Sequence, residues 1–595
     1  MKGRSEILKV LSLVSKHSKK IIVINILMVA FLSLQANLNV YLSGKLLDFL
    51  NGSMFSQAVL TIIIITSCNF LMQFFSEAKS LIDEEAMNEM MINQEKKILN
   101  KMQSFNLLDQ EKSEFKNSIN MATMGMSKVF PLFSNSFGTI QNAITAMIVL
   151  CYLGSSSLWL ILFVIVITCS KTFLMFYFTK KRITVNRIIQ NKLRIPQYFY
   201  NLLIDTQTQK ELKVYNSSDA LIKKWKESSD EIQGIRNHLK KYSMKFNLFN
   251  FSLSNLGLAL IIILIIQYMS MGRLTIGEYF SLTLALNLAD NSVSMLLRNI
   301  FTIKEDKNYV KSYFEFIESR NCPKELLPNE EQVDFVFENR LTVSALNFRY
   351  PNSAHSALKN INLCINKGEK IVIFGENGSG KSTFLKLLLK LYDSPERTIA
   401  FDQNPLENIN TESFYRSIVV VFQDFVKYMV TIRENLLIQD SNTSRLSEEE
   451  IVALLKRNGF PDLNRFKNRL DTHLGYLTDE SVFLSGGEWQ KLALSRAFVR
   501  DAELLVFDEP TSALDPKSVI DFFSSVLMLK EKTVIVVTHD VKIAELADKI
   551  VVFKNGEVAE IGSAEELCRQ ENSEYKNIIN KRNNVFIDEK EIAYG

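Results

Sequence analysis

Cysteine is sparse: six residues, at positions 68, 151, 169, 322, 364 and 568, with no CxxC pair and no ligand-like spacing. That pattern excludes a disulfide framework and a zinc site and fits a reducing setting. A large charge of one sign is missing too, since 69 Lys and Arg against 65 Asp and Glu leave +4. Proteins that work chiefly on nucleic acid carry a stronger basic excess, so no nucleic-acid partner is expected. No internal repeat and no low-complexity tract is present, and the fibrous, disordered and small secreted classes fall away. Long apolar runs are absent beyond residue 334. A chain of this length exceeds one compact core, so at least two domains are expected.

The apolar runs lie in residues 1–302, and six are long enough to cross a bilayer, which takes about 20 residues. They span 21–42, 57–77, 130–153, 156–178, 246–269 and 277–301. Gln35, Asn37 and Asn39 interrupt the first and Asn287, Asp290 and Asn291 the last, so a surface helix is the alternative for one of them. Lys2, Arg4, Lys9, Lys16, Lys19 and Lys20 face a single acid, Glu6, and the connections 78–129 and 179–245 are also basic. The short connections carry one basic residue each (Lys45, Arg273) or, at Gly154–Ser157, none. Both termini and both long connections are therefore expected in the cytosol of a multi-pass membrane protein. A signal peptide is not expected, because no small-residue cleavage site flanks the first run.

The long connections contain almost no Gly or Pro, so helices should continue past the membrane and turn back. Residues 303–333 read as a charged linker containing Pro323 and Pro328, and 334–595 as an α/β domain of short Val/Ile/Phe strands alternating with helices. There, strand Lys370–Phe374 runs into Gly375, Glu376, Asn377, Gly378, Ser379, Gly380, Lys381, Ser382 and Thr383, followed by a helix. This is the phosphate-binding GxxxxGK[ST] loop in its required context: backbone N–H groups and a helix N-terminus face phosphate oxygens. Lys381 would reach the β- and γ-phosphates and Ser382 would ligate Mg²⁺. The run Leu504–Phe507 delivers Asp508, a Mg²⁺ ligand, and Glu509, which would polarise the attacking water. An acidic pair merely ending a strand is the alternative. His539 ends the strand Thr533–Thr538, where a catalytic role outweighs a structural one.

Many nucleotide hydrolases share those features, but Leu484, Ser485, Gly486, Gly487, Glu488, Trp489 and Gln490 are narrower. The sequence here resembles the ATP-binding cassette (ABC) family, whose signature is LSGGQ; Glu488 stands where the family has Gln. The family's other elements follow in order: Tyr350 where an aromatic stacks on adenine, Gln423 in the Q-loop, Ser512–Asp515 in the D-loop and His539 as the switch histidine. The resemblance implies catalytic roles for Glu509, His539 and Gln423, ATP contacts by Tyr350, Gly375, Asn377, Gly378, Ser379, Gly380, Lys381, Ser382, Thr383, Ser485, Gly486, Gly487 and Asp515, and Mg²⁺ held by Ser382, Gln423 and Asp508. It implies head-to-tail cassettes, with Ser485 and Gly487 of one completing the site at Lys381 of the other. Intact half-sites make a homodimer the expectation, with a heterodimer as alternative. Tyr350 packed in the core, and Trp489 packing helix against sheet, are the plain structural alternatives. Leu474–Phe483 lacks the second glycine that exporters usually carry there.

Six spans fused to a C-terminal cassette resemble exporter half-transporters of the type IV fold. Phe105–Asp109 and Lys210–Asn216 look like the exporters' intracellular-loop segments, with ordinary amphipathic helix as the alternative. The stretches 421–436 and 484–492 are similar to cassettes of the nisin/subtilin type, which export lanthipeptides. A peptide cargo in a bacterial plasma membrane is the leading expectation. Lipids or hydrophobic drugs are the alternative, and an ATP-gated channel or regulator a minor one. With 20 residues ahead of the first run, the cysteine peptidase domain of some peptide exporters is not expected. Asn37, Asn39, Asn69, Gln73, Lys171, Asn287 and Asp290 are candidate cavity residues.

Overall fold

The computed structural model describes residues 6–581 apart from 157, 272–273, 320–331, 352, 439–445, 511–518, 520–521, 525, 527–528 and 530. Two compact units result, one of residues 1–104 and 113–320, the other of 105–112 and 321–595.

The first unit is helical. Among the described residues five helices are long and apolar enough to span a membrane: Lys19–Asn51, Phe55–Gln103, Val129–Ser156, Ser218–Ser270 and Ile276–Glu318. The remaining run, 156–178, falls in helix Leu158–Lys192; most of its side chains, Lys171 included, lie outside the described residues. Helices suit such runs because every backbone N–H and C=O is satisfied within the element. Two helices run on for 49 and 53 residues, as the Gly- and Pro-poor connections demand. Ile276–Glu318 likewise continues through the first half of the segment read as a linker. Its start, capped by Thr275 and Glu278, crosses Lys19–Asn51 so closely that a Cβ on Gly44 would lie 2.7 Å from the Gly277 carbonyl.

Polar residues inside these helices mostly find partners there. The Asn69 amide oxygen accepts from Gln35 at 2.8 Å and from Asn39 at 2.7 Å, tying the first two spans together. Asn37 and Asn287 donate to the carbonyls of Ser33 and Thr283 one turn back. Gln73 is exposed and Asp290 half-buried.

The second unit contains two sheets. Strands β1 (Arg340–Phe348), β2 (Leu358–Asn366), β4 (Ile399–Phe401) and β5 (Asn404–Pro405) form an antiparallel sheet in the order β2-β1-β4-β5. The main sheet has the order β10-β9-β3-β8-β7-β6. It comprises β3 (Lys370–Gly375), β6 (Ile418–Val421), β7 (Leu504–Asp508), β8 (Thr533–Val537), β9 (Lys549–Lys554) and β10 (Glu557–Gly562). All are parallel except β10, and β3, β8 and the first four residues of β7 are buried throughout, which explains their unbroken apolar runs. In such sheets ligands sit beyond the carboxyl ends of the strands. A separate apolar cluster around Ile432, Leu436, Phe466, Leu470 and Trp489 carries the segment that ends in the signature helix.

Residues 105–112 join this unit although they are flanked by helices of the first. Their helix, Leu107–Gln110, is capped by Asn106, and Leu107 and Leu108 pack against the cluster containing Phe384 and Tyr392. The Tyr392 hydroxyl donates to Glu111 at 2.9 Å and accepts from Lys386 at 2.9 Å, and Lys386 pairs with Glu111 at 3.6 Å. Lys386 belongs to the helix that starts at Lys381. Glu111→Ala removes an acceptor from a half-exposed triad, a loss of about 1 kcal/mol. The expected result is a small drop in the thermal denaturation midpoint of the full-length protein, read by scanning calorimetry.

Candidate nucleotide site

The loop after β3 needs glycine where the backbone turns left-handed. Gly375, Gly378 and Gly380 have φ of +155°, +79° and +108°. A Cβ on Gly375 would lie 2.4 Å from the Phe553 carbonyl and one on Gly380 2.8 Å from Leu358, whereas at Gly378 the space is open. Asn377 and Gly378 are exposed beside that space, as is Ser382, while Thr383 is half-buried. Lys381 is buried, its ammonium donating to the carbonyls of Gly375 (2.8 Å) and Glu376 (2.9 Å). Burial lowers its pKa against the opposite pull of Glu509 and Asp508. The buried Ser379 hydroxyl has no hydrogen-bond partner among the described residues. A loop with open space over a glycine, an unsatisfied hydroxyl and a buried cation suits phosphate oxygens.

Three strand ends meet opposite this loop. Glu509 follows β7 with φ of +44°, a left-handed conformation that costs a non-glycine residue about 1–3 kcal/mol. Its N–H donates to the Val537 carbonyl at 2.8 Å, holding the backbone there. One carboxylate oxygen accepts from Gln423 Nε2 at 2.9 Å, after β6; the other lies 3.4 Å from His539 Nδ1, after β8. Gln423, Glu509 and His539, far apart in sequence, are thus one cluster. Burial, reinforced by Glu509 and Asp424, pushes Asp508 up to about 6 against the pull of Lys381.

Tyr350 stands beside the Lys381 helix, its hydroxyl 3.1 Å from Thr383 Oγ1 and its ring edge-on to Phe348 and Tyr392. It is half-buried and packs against the core cluster around Phe384.

The signature forms the start of helix Gly486–Arg496. Ser485 caps it, its hydroxyl accepting from Glu488 N–H at 3.3 Å while Glu488 accepts from Ser485 N–H at 2.7 Å. A Cβ on Gly486 would meet nothing within 4 Å, so this helix end is open for an approaching group. Trp489 is buried in the cluster around Leu470, packed among helices and 3-10 turns rather than against a sheet. Gln490 Nε2 donates to the Pro510 carbonyl, linking the helix to the residue after Glu509. Ser512–Asp515 lie outside the described residues. In the atypical segment, Gly475 (φ +90°) and Val482 close a loop that leaves Tyr476, Leu477 and Phe483 exposed.

Sequence reasoning missed a polar hub behind the signature. Buried Arg496 donates to the Asn435 carbonyl (3.1 Å) and side chain (2.7 Å) and to the Val426 carbonyl (3.1 Å), with Tyr428 at its face. It joins the signature helix to the segment after Gln423. A lone arginine among apolar neighbours was the only signal.

The comparisons agree with this geometry. Residues 358–512 match the ABC transporter family model. The chain is 31% identical to the nisin transport ATP-binding protein of Lactococcus lactis subsp. lactis over 78% of both chains. With the subtilin transport ATP-binding protein of Bacillus subtilis it shares 29% identity, over 83% of this chain and 81% of that one. A bacterial Atm1-family ABC exporter with ATP bound has the same fold, with a TM-score of 0.81 over 95% of this chain and 98% of that one, at 20% identity. Likeness that extends through the helical half as well as the cassette makes this chain a member of the ABC transporter family, an ATP-hydrolysing exporter spanning the membrane several times.

Proposed function

We propose that the protein exports a peptide, of the lanthipeptide or bacteriocin kind, by alternating access driven by ATP. The observation that carries this reading is coverage: similarity to nisin and subtilin transport proteins runs over roughly four-fifths of their length, including the helices that select cargo. The proposed organisation is a six-span domain at 1–302, a connection at 303–333 and the cassette at 334–595, with the cassette and both termini in the cytosol of a bacterial plasma membrane. The working form is a homodimer, each signature facing the other copy's phosphate loop.

Within each site the loop 375–383 binds the triphosphate, Lys381 moving its donors from loop carbonyls to phosphate, and Tyr350 stacks on the base. Ser485, Gly486, Gly487 and Asp515 complete the site from the second copy. Glu509, steered by Gln423 and His539, orients the attacking water and draws its proton. Ser382, Gln423 and Asp508 offer a hydroxyl, an amide and a carboxylate, a hard oxygen set that fits Mg²⁺ completed by phosphate and water. When bound, Mg²⁺ neutralises phosphate charge. ATP shifts the conformational balance because the closed pair binds it more tightly than the open pair.

The test compares small-peptide mass spectra of medium and cells from the source organism carrying the intact gene or Glu509→Gln. The expected result is a peptide lost from the medium and retained in the mutant cells. Identical peptides in both, with the cargo gene expressed, overturn the peptide reading in favour of lipids or hydrophobic drugs.

A further inference from the structure

Glu488, the departure from the family's signature, has a partner in the fold. The capping box with Ser485 does not require its charge, because a glutamine closes the same box. Its other oxygen accepts from Arg465 Nη1 at 2.6 Å. Arg465 ends a short 3-10 turn, Leu463–Arg465, whose start Asp462 caps by accepting from Asn464 N–H at 3.0 Å. The guanidinium lies 5.1 Å from the Phe466 ring centre, and Phe466 stacks on Phe460 inside the cluster that holds Trp489. The cation therefore arrives from a braced turn. Burial pushes Glu488 up, but Arg465 and the Ser485 N–H outweigh it and hold the carboxyl below its usual range. It stays ionised at neutral pH.

A bare carboxylate in that first turn works against the site. The helix N-terminus carries a partial positive charge that favours anions, and a full negative charge beside it cancels the attraction. ATP phosphates approaching the open face at Gly486 would meet repulsion, unless the carboxylate is neutralised.

We propose that Arg465 is a positioning residue for the signature, neutralising and anchoring Glu488 so that the helix end remains an attractive seat for the ATP phosphates held by a second copy. This rests on the homodimer reading given above. It makes Arg465 and Glu488 a matched pair: the arginine is needed because the glutamate is there.

The test is steady-state ATPase of the full-length protein in lipid nanodiscs, with Arg465→Met, Glu488→Gln and the double variant. Methionine keeps an apolar stem over Phe466, so loss of packing is small. Arg465→Met alone should raise the KM for ATP about tenfold with little change in kcat, and added salt should shrink the defect. In the Glu488→Gln background the same substitution should move KM less than about twofold. An equal loss in both backgrounds, or no loss in the first, overturns the proposal. Glu509→Gln supplies the control. If it forms no ATP-dependent closed pair, the dimer reading falls. If it does and Arg465→Met leaves the ATP dependence of closure unmoved, only the role of Arg465 falls.

Discussion

Glu509→Gln lowers steady-state ATP hydrolysis by about a thousandfold while ATP binding survives, the scale expected when a general base is removed. The amide has the shape of the carboxylate and can still meet Gln423 and His539, which now lie 2.9 and 3.4 Å away. It cannot take a proton from water. The left-handed backbone at this position stays held by the Val537 carbonyl, so geometry is preserved and only basicity is lost. Nucleotide that binds but is not cleaved keeps the cassettes together. Size-exclusion chromatography of the variant with labelled ATP should show retained nucleotide, and near-normal hydrolysis would remove Glu509 from its role.

Lys381→Ala acts at an earlier step. Its ammonium is the buried charge of the phosphate loop, already desolvated and held by two backbone carbonyls. Charge-assisted hydrogen bonds to phosphate contribute about 1.5–3 kcal/mol each, so ATP affinity should fall by roughly one hundredfold. Equilibrium binding of a fluorescent ATP analogue measures this directly, and tight binding retained in the variant refutes the assignment. Thermal denaturation without nucleotide separates the effect from unfolding.

The nucleotide site was legible because its chemistry is local. The loop 375–383 needs left-handed glycines at set positions, and Asp508 and Glu509 need a buried strand before them, so short motifs report geometry. The helical extensions were legible from missing Gly and Pro. Contacts between distant segments were not. Nothing in the composition around Glu111, Tyr392 or Lys386 marks them as a triad, and Arg465 and Glu488 are 23 residues apart on different elements. Polar residues in apolar runs are ambiguous for a different reason: Asn37 and Asn287 donate their amide N–H groups to carbonyls of their own helix and keep their side-chain oxygens for another partner. A side chain that donates one turn back neither needs a cavity nor excludes one. Periodicity cannot tell that case from a cargo contact.

The way residues 105–112 lodge in the second unit has a practical consequence for anyone dissecting the protein. The chain passes between the units after Ser104, after Lys112 and again at Arg320, so the second unit is not one contiguous fragment. Excision at 334–595 strips Leu107 and Leu108 from their seat and leaves Tyr392 without Glu111. A bare apolar patch of that kind invites self-association. Fragment work on this motor is therefore best done with a tethered copy of 105–112 restored to its seat.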